Sequence, residues 1–150
     1  VTDLTWICDH CNLPITEAAA GIAVWDTDDQ GRDHSFSIVH KNSCDPAQPK
    51  WASLTELVGV DGLAYLLSFL SRGTIELARG RQSAQHVADF DEFVDFVRRL
   101  QLPNYDAARR HFADPRVVGD YHDHGEVTPY TQHFLRRIAK EYFDDPAAAA

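Results

Sequence analysis

All three cysteines of this 150-residue chain fall between Cys8 and Cys44, and none follows in the remaining sequence. Cys8 and Cys11 make a Cys-x-x-Cys knuckle, and His40 with Cys44 makes a His-x-x-x-Cys pair. Two short pairs of soft or borderline donors, separated by a span able to fold into a hairpin, are what a closed tetrahedral zinc site needs. The expected ligands are therefore Cys8, Cys11, His40 and Cys44, around one structural Zn2+. Cysteines two residues apart can turn a tight knuckle whose backbone amides point at the thiolates and stabilise them. His10 is the alternative fourth ligand, but its ring would have to fold back over the knuckle that carries it. Three buried free thiols in an ordinary core are the competing explanation, and the clustering of the cysteines speaks against it. A closed site leaves no coordination position for water, so it organises backbone without doing chemistry.

The sequence between the pairs reads as the required hairpin. Residues 20–25 form a first strand, with Ile22 and Val24 on one face, and residues 35–39 a second, alternating Phe36 and Ile38 with Ser35 and Ser37. The polar cluster of residues 26–31, ending on Gly31, is the turn between them. Such a hairpin delivers His40 back beside the knuckle. Asp45-Pro46 ends the module and Pro49 lies in the linker beyond.

Helical signals dominate from there on. Ser53 and Glu56 form a capping box for a short helix over 54–58. Asp61 caps a second helix over 62–71, in which Leu63, Leu66, Leu67 and Leu70 share a face that Tyr65 and Phe69 widen, and Gly73 stops it. Residues 74–87 read as a loop or frayed helix. Asp89 and Glu92 open a periodic helix over 90–101, carrying Phe93, Phe96, Val97 and Leu100, and Pro103 closes it. Asn104 caps a helix over 105–112 that ends before Pro115, and Thr128-Pro129 starts a last helix running to about residue 143. The expected class is α+β: a zinc-bound hairpin module over residues 1–50, a helical unit over 51–146 packed on it, and a frayed tail over 147–150. Trp6, Trp25 and Trp51 bracket the module and are expected to supply its core.

Composition narrows the function classes. Net charge is −9, from 14 basic and 23 acidic residues, and residues 1–50 alone carry 3 basic against 8 acidic. Nonspecific DNA binding rests on Lys and Arg neutralising phosphates, so this module is a poor grip for a duplex; an acidic surface suits basic protein partners. No apolar run is long enough to span a bilayer, since residues 63–70 are broken by Ser68 and followed by Arg72. The odd cysteine count without a secretory signal argues against a disulfide framework, and the expected location is a reducing cytoplasm.

Several other groups invite chemistry. His122 and His124, with Asp120, Asp123 and Glu126, resemble a second metal site on paper, although such a glycine-bounded loop is ordinarily just solvated. Arg136, Arg137 and Lys140 share a face of the last helix, where they could meet DNA phosphate or simply form its wet side, and Arg98, Arg99, Arg109 and Arg110 offer a second basic strip. Asp33-His34 followed by Asn42 faintly resembles the His-Asn-His nucleases, but Asn42 falls between two zinc ligands. No phosphate-cradling glycine loop, nucleophile elbow or His-Glu-x-x-His helix is present.

The order Cys8-Asp9-His10-Cys11, hairpin, His40, then Cys44-Asp45-Pro46 resembles the zinc-ribbon or treble-clef class of zinc fingers. It is also similar to the opening of short uncharacterised proteins of actinobacteria and their phages, a likeness covering about the first third of the chain. That resemblance implies a regulatory or interaction role and a phage or mobile-element origin. The sequence is read as a nonenzymatic zinc-stabilised protein that binds another protein, with a DNA-binding regulator using the C-terminal helix as the alternative and a nuclease as the third reading.

Overall fold

Apolar alternation in the first third of the chain builds the sheet on which everything else is placed. The computed structural model describes residues 4–47, 50–82 and 86–141. Pro49, Gln85, the expected end of the last helix at Tyr142 and Phe143, and the tail over 147–150 lie outside the described residues. Strands β3 (Gly21–Thr27) and β4 (Asp33–His40) form the expected antiparallel hairpin, pairing Gly21 with His40 at one end and Thr27 with Asp33 at the other. The register shifts between Val24 and Asp26, and Ser35 in the facing strand has φ 58. This is a bulge that bends the ribbon.

Two strand pairings were not legible. β1 (Trp6–Ile7) pairs with β2 (Pro14–Ile15) and closes the knuckle at its base. β5 (Lys50–Ser53) adds to the free edge of β3, so the sheet order is β4-β3-β5. The stretch taken as the start of a linker is thus a strand, and it crosses the boundary expected at residue 50. β3 becomes a central strand, and Gly21 through Trp25 are all buried. β5 buries Ala52 and turns Trp51 outward at 61% exposure, so Trp6 and Trp25 supply the core but Trp51 does not.

The helices follow where their caps permit. In α1 (Leu54–Leu57) the capping box is complete: the Ser53 hydroxyl accepts from the Glu56 backbone N–H, and the Glu56 carboxylate accepts from that of Ser53. α2 (Gly62–Ser68) ends earlier than expected and makes no side-chain cap with Asp61. Its first residue must be glycine, because a Cβ at Gly62 would overlap the Leu57 carbonyl. Gly73, at φ 78, both ends the preceding turn and opens α3 (Gly73–Ala78) within the stretch expected as loop or frayed helix. α4 (Phe90–Gln101) has its expected bounds and its Asp89 cap. Glu92, however, reaches out to accept from the Phe36 N–H of β4 at 2.8 Å, which pins the helix to the sheet.

Beyond α4 the chain forms a second layer. α5 (Tyr105–Arg109) is shorter than expected, and Asn104 does not cap it: at φ 64 its amide donates instead to Gln132 at 3.1 Å. Pro115, read as a stop, is the first residue of α6 (Pro115–Tyr121), which Asp114 caps. Thr128–Tyr130 forms a short 3-10 turn, and α7 (Gln132–Glu141) begins only after it.

Burial separates two cores. The front core joins the sheet to α1, α2 and α4 through Ile22, Val24, Ile38, Leu54, Leu57, Leu66 and an aromatic cluster around Phe36. Phe36 stacks on Phe96 at 4.8 Å and meets Phe69 and Phe93 at 5.6 and 5.5 Å. The back core is smaller, with Tyr105, Ala108, Val117, Tyr121, Leu135 and Ile138 at its centre. The break in packing therefore falls near residue 102, because the expected module and its first helices share one interior. No helix among the described residues is long and apolar enough to cross a membrane.

Candidate metal centre

Backbone hydrogen bonds shape the knuckle. The Cys8 N–H donates to the Leu13 carbonyl and the Asn12 N–H to the Cys8 carbonyl, both at 2.9 Å, while Asn12 takes φ 61. A left-handed residue is what returns the chain towards β2, and asparagine tolerates that conformation better than most. Asn42, at φ 69, turns the chain the same way between His40 and Cys44, whose N–H reaches the His40 carbonyl at 3.3 Å. Asn42 is therefore a turn residue of the ligand loop.

Asp9, inside the knuckle, docks it onto the hairpin. Its N–H donates to the Ile38 carbonyl at 2.9 Å, and its carboxylate accepts from the Ile38 N–H at 2.7 Å. Both polar groups of one β4 residue are thereby held two positions before His40. The result is convergence: the ligand atoms of Cys8, Cys11, His40 and Cys44 all lie within 4.8 Å of one another, and the three cysteines are free thiols. His10 is not among the converging donors.

The donor set fits a metal ion. Tetrahedral bonds of about 2.0–2.3 Å place ligand atoms roughly 3.4–3.8 Å apart, and Cys11 Sγ lies 3.4 Å from His40 Nδ1. His40 Nε2 faces the Pro14 carbonyl at 3.3 Å. A proton on Nε2 donates there and leaves the Nδ1 lone pair directed at the sulfurs, the outer hydrogen bond that orients ligating imidazoles. Burial pushes the Cys8 thiol up, but backbone hydrogen bonds from Cys11, His40 and His10, together with the His40 ring, bring it down to about 6. Cys44 is pushed up, by burial first and then by the neighbouring Cys11 and Cys8 sulfurs. One thiolate is thus favoured locally, while further ionisation is opposed until a cation supplies the compensating charge.

A buried arginine ties this centre to the second layer. Arg99 of α4 is 3% exposed and donates to Asp106 of α5 through Nε at 2.6 Å and Nη2 at 3.0 Å. It also donates to the Asp9 carboxylate at 2.7 Å and the Ile7 carbonyl at 3.1 Å. The Asp106 carboxylate in turn accepts from the Ile7 N–H at 2.9 Å, and the Trp6 indole N–H donates to the Arg99 carbonyl at 3.1 Å. Residues 6, 7 and 9, flanking Cys8, are all fastened to α4 or α5 through this junction. Burial alone would push Arg99 down, but Asp106 and then Asp9 outweigh it and hold the guanidinium charged. Sequence reasoning placed Arg99 on a basic strip; its one warning was a position amid the apolar stripe of Phe96 and Leu100.

The other groups are placed differently. Arg98 stacks over Tyr130 at 3.9 Å and Arg109 pairs with Asp95 at 2.8 Å, so three of the four arginines in that strip are engaged within the chain. Arg136 and Lys140 are exposed on α7, and Arg137 pairs with Glu141 at 2.8 Å. His122 Nδ1 contacts the Gly119 carbonyl at 2.7 Å, and His124 packs against Tyr121 and Phe134. Among the described residues, the Cys3His cluster is the only group of three or more such donors close enough to hold a metal. His34 pairs opposite Asp26, towards the far end of the hairpin from His40, and Asp33 is held by Thr27 and Lys50 at 2.7 and 2.9 Å.

Comparison with protein-family models, curated proteins and solved structures finds no match to this chain.

Proposed function

We propose that the Cys3His cluster holds a structural Zn2+ and that the chain is a nonenzymatic interaction protein, binding another protein through the face formed by α2 and α4. Three thiols and an imidazole suit zinc, and four protein donors complete a tetrahedral shell with no position for water. The observation that carries the interaction reading is on α2. Leu63 and Leu67 are 61% and 54% exposed, although their sequence pattern is that of a core stripe. With Leu70, Val94 and Val97 they line an apolar groove of about 170 Å³ between α2 and α4. Exposed apolar surface that is contiguous and concave marks contact sites in soluble proteins. A groove of this form takes an amphipathic helix presenting apolar residues at i, i+4 and i+7. The likeness to actinobacterial and phage proteins adds a regulatory role of mobile-element origin, in a reducing compartment, to this proposal.

The rival reading is DNA contact through Arg136, Arg137 and Lys140, of which Arg136 and Lys140 stand exposed one turn apart. Two titrations separate them. A helical peptide with a leucine stripe, added to the full chain, should bind, and Leu67→Glu should abolish that binding. A gel-shift series across salt should show no duplex binding even at low ionic strength; retention that falls steeply with salt and is lost in Arg136→Ala/Lys140→Ala would favour DNA.

A further inference from the structure

We infer that the Cys3His centre is a peroxide-sensitive switch: a small hydroperoxide enters at Cys44, oxidation joins Cys44 to Cys11 as a disulfide, and the metal is lost. This rests on the reading of the centre as a zinc site and adds its regulation. The first observation is access. A cleft of about 160 Å³, lined by Asp9, His10, Ser37, Val39, Cys44 and Pro46, opens beside the centre. Of the three cysteines only Cys44 lines it, whereas Cys8 is fully buried in the front core. His10, which does not converge with the ligand atoms, forms part of the cleft wall instead. The centre thus presents one sulfur to a route wide enough for hydrogen peroxide.

The second observation selects the sulfur that answers. The cysteine sulfurs lie within 4.8 Å of one another, and all three are free thiols. Cys8 is held through its own backbone by Leu13 and Asn12 and has no exposed surface. Cys11 is only half-buried, and Cys44 stands beyond the end of β4, outside any strand or helix. Cys11 and Cys44 are therefore the pair best able to close to the ~2 Å of an S–S bond.

Cysteines that hold a metal are thiolates, the form that attacks peroxide. The Cys44 sulfur attacks one peroxide oxygen, the O–O bond breaks, and a sulfenic acid forms as hydroxide leaves. The Cys11 thiolate then attacks the Cys44 sulfur, the S–O bond breaks, and a second hydroxide leaves with the disulfide formed. Two solvent protons turn both hydroxides into water, so two thiolates give up two electrons and one hydrogen peroxide takes them. Only Cys8 and His40 remain as donors, half of the tetrahedral set and too few to retain the ion. A thiol reductant reverses the bond and restores the site.

The experiment treats the zinc-loaded full chain with hydrogen peroxide. Released zinc is followed with a chromogenic chelator, and bonded cysteines by peptide mass spectrometry after alkylation. One zinc should leave for each Cys11–Cys44 bond formed, Cys8 should be recovered as an alkylated thiol, and dithiothreitol with added zinc should reverse both changes. Ser37→Leu, which narrows the cleft without touching a ligand, should keep its zinc and oxidise at least ~10-fold more slowly. Circular dichroism checks its fold, and a comparison in the parent needs no variant: cumene hydroperoxide, too bulky for the cleft, should lag hydrogen peroxide by a larger factor than it does with free cysteine. A zinc-loaded parent that forms no disulfide, or one whose bond includes Cys8, overturns this inference and leaves the metal reading standing. No discrimination between the two peroxides overturns entry through the cleft. A parent that holds no zinc yet forms the Cys11–Cys44 bond overturns the metal reading and supports the cysteine pairing.

Discussion

The front and back layers of this molecule reach order by different means. The front, residues 4–101, has a three-stranded sheet, an aromatic cluster centred on Phe36, and a Cys3His centre that joins its knuckle to the end of β4. The back, residues 102–141, has three short helices around Leu135 and Ile138 and no comparable fastening of its own. Fewer than ~40–50 residues rarely bury enough apolar surface to fold alone. The back layer therefore borrows its order from the front, and it does so at Arg99, whose two carboxylate partners come from the knuckle and from α5. The comparison teaches that a few buried polar contacts can link a knuckle at one end of the chain to helices far along it, and a metal held by the Cys3His cluster would act on those helices through the same contacts.

Metal removal should break the comparison outright. Structural zinc contributes apparent free energies of about 10–16 kcal/mol in small domains, far more than a domain's margin of stability. Chelation, or Cys8→Ala, should unfold the front layer and take the back with it, so amide exchange should accelerate in α4 and α7 together. Protection retained in α7 alone would show the layers to be independent.

Arg99→Ala should come next. Removing one member of a buried ion pair leaves its partner uncompensated and costs about 3–5 kcal/mol. Exchange should rise first in α5–α7, with the metal still bound. Leu135→Ala sharpens the contrast from the other side. Its side chain is fully buried, and such a truncation costs about 2–5 kcal/mol. The loss should appear in the back layer while sheet amides keep their protection.

Smaller effects should stay local. Ser53→Ala removes the capping box of α1 and should cost about 1 kcal/mol, read as a shift in denaturant midpoint at unchanged slope. Asp114, the cap of α6, is lowered to about 2, chiefly by the Arg116 side chain and backbone N–H. A carboxylate depressed in the folded state stabilises above its ordinary value near 3.8 and loses that contribution as pH falls through about 2. Asp114→Asn should thus lower the melting temperature slightly at pH 5, with the difference from the parent vanishing as pH approaches 2.

What the sequence disclosed depends on the range of the signal rather than on the layer. The hairpin, α4 and the convergence of Cys8, Cys11, His40 and Cys44 were legible because alternation, helical period and ligand spacing are all short-range signals. β5 was not, since four residues just after Pro49 read as a linker until β3 offers them an edge. α6 was missed because Pro115 ends one helix pattern as readily as it begins another. Asn104 has the composition of a cap, yet its left-handed backbone sends the amide to Gln132. The Asp9–Arg99–Asp106 junction was invisible because Asp9 and Arg99 are 90 positions apart and only the fold brings them together. The leucines of α2 misled in a different way. Their period was read as one apolar face, and they do line one groove, but only Leu66 is buried there while Leu63 and Leu67 stay open to solvent.

A dependence of the whole molecule on a metal in its first third would show first in metal content. Elemental analysis of the purified, untagged chain beside Cys11→Ser settles it: one zinc per chain in the parent and a marked loss in the variant are expected. A parent without stoichiometric metal, or a variant with undiminished zinc, would contradict the ligand set and the order built upon it.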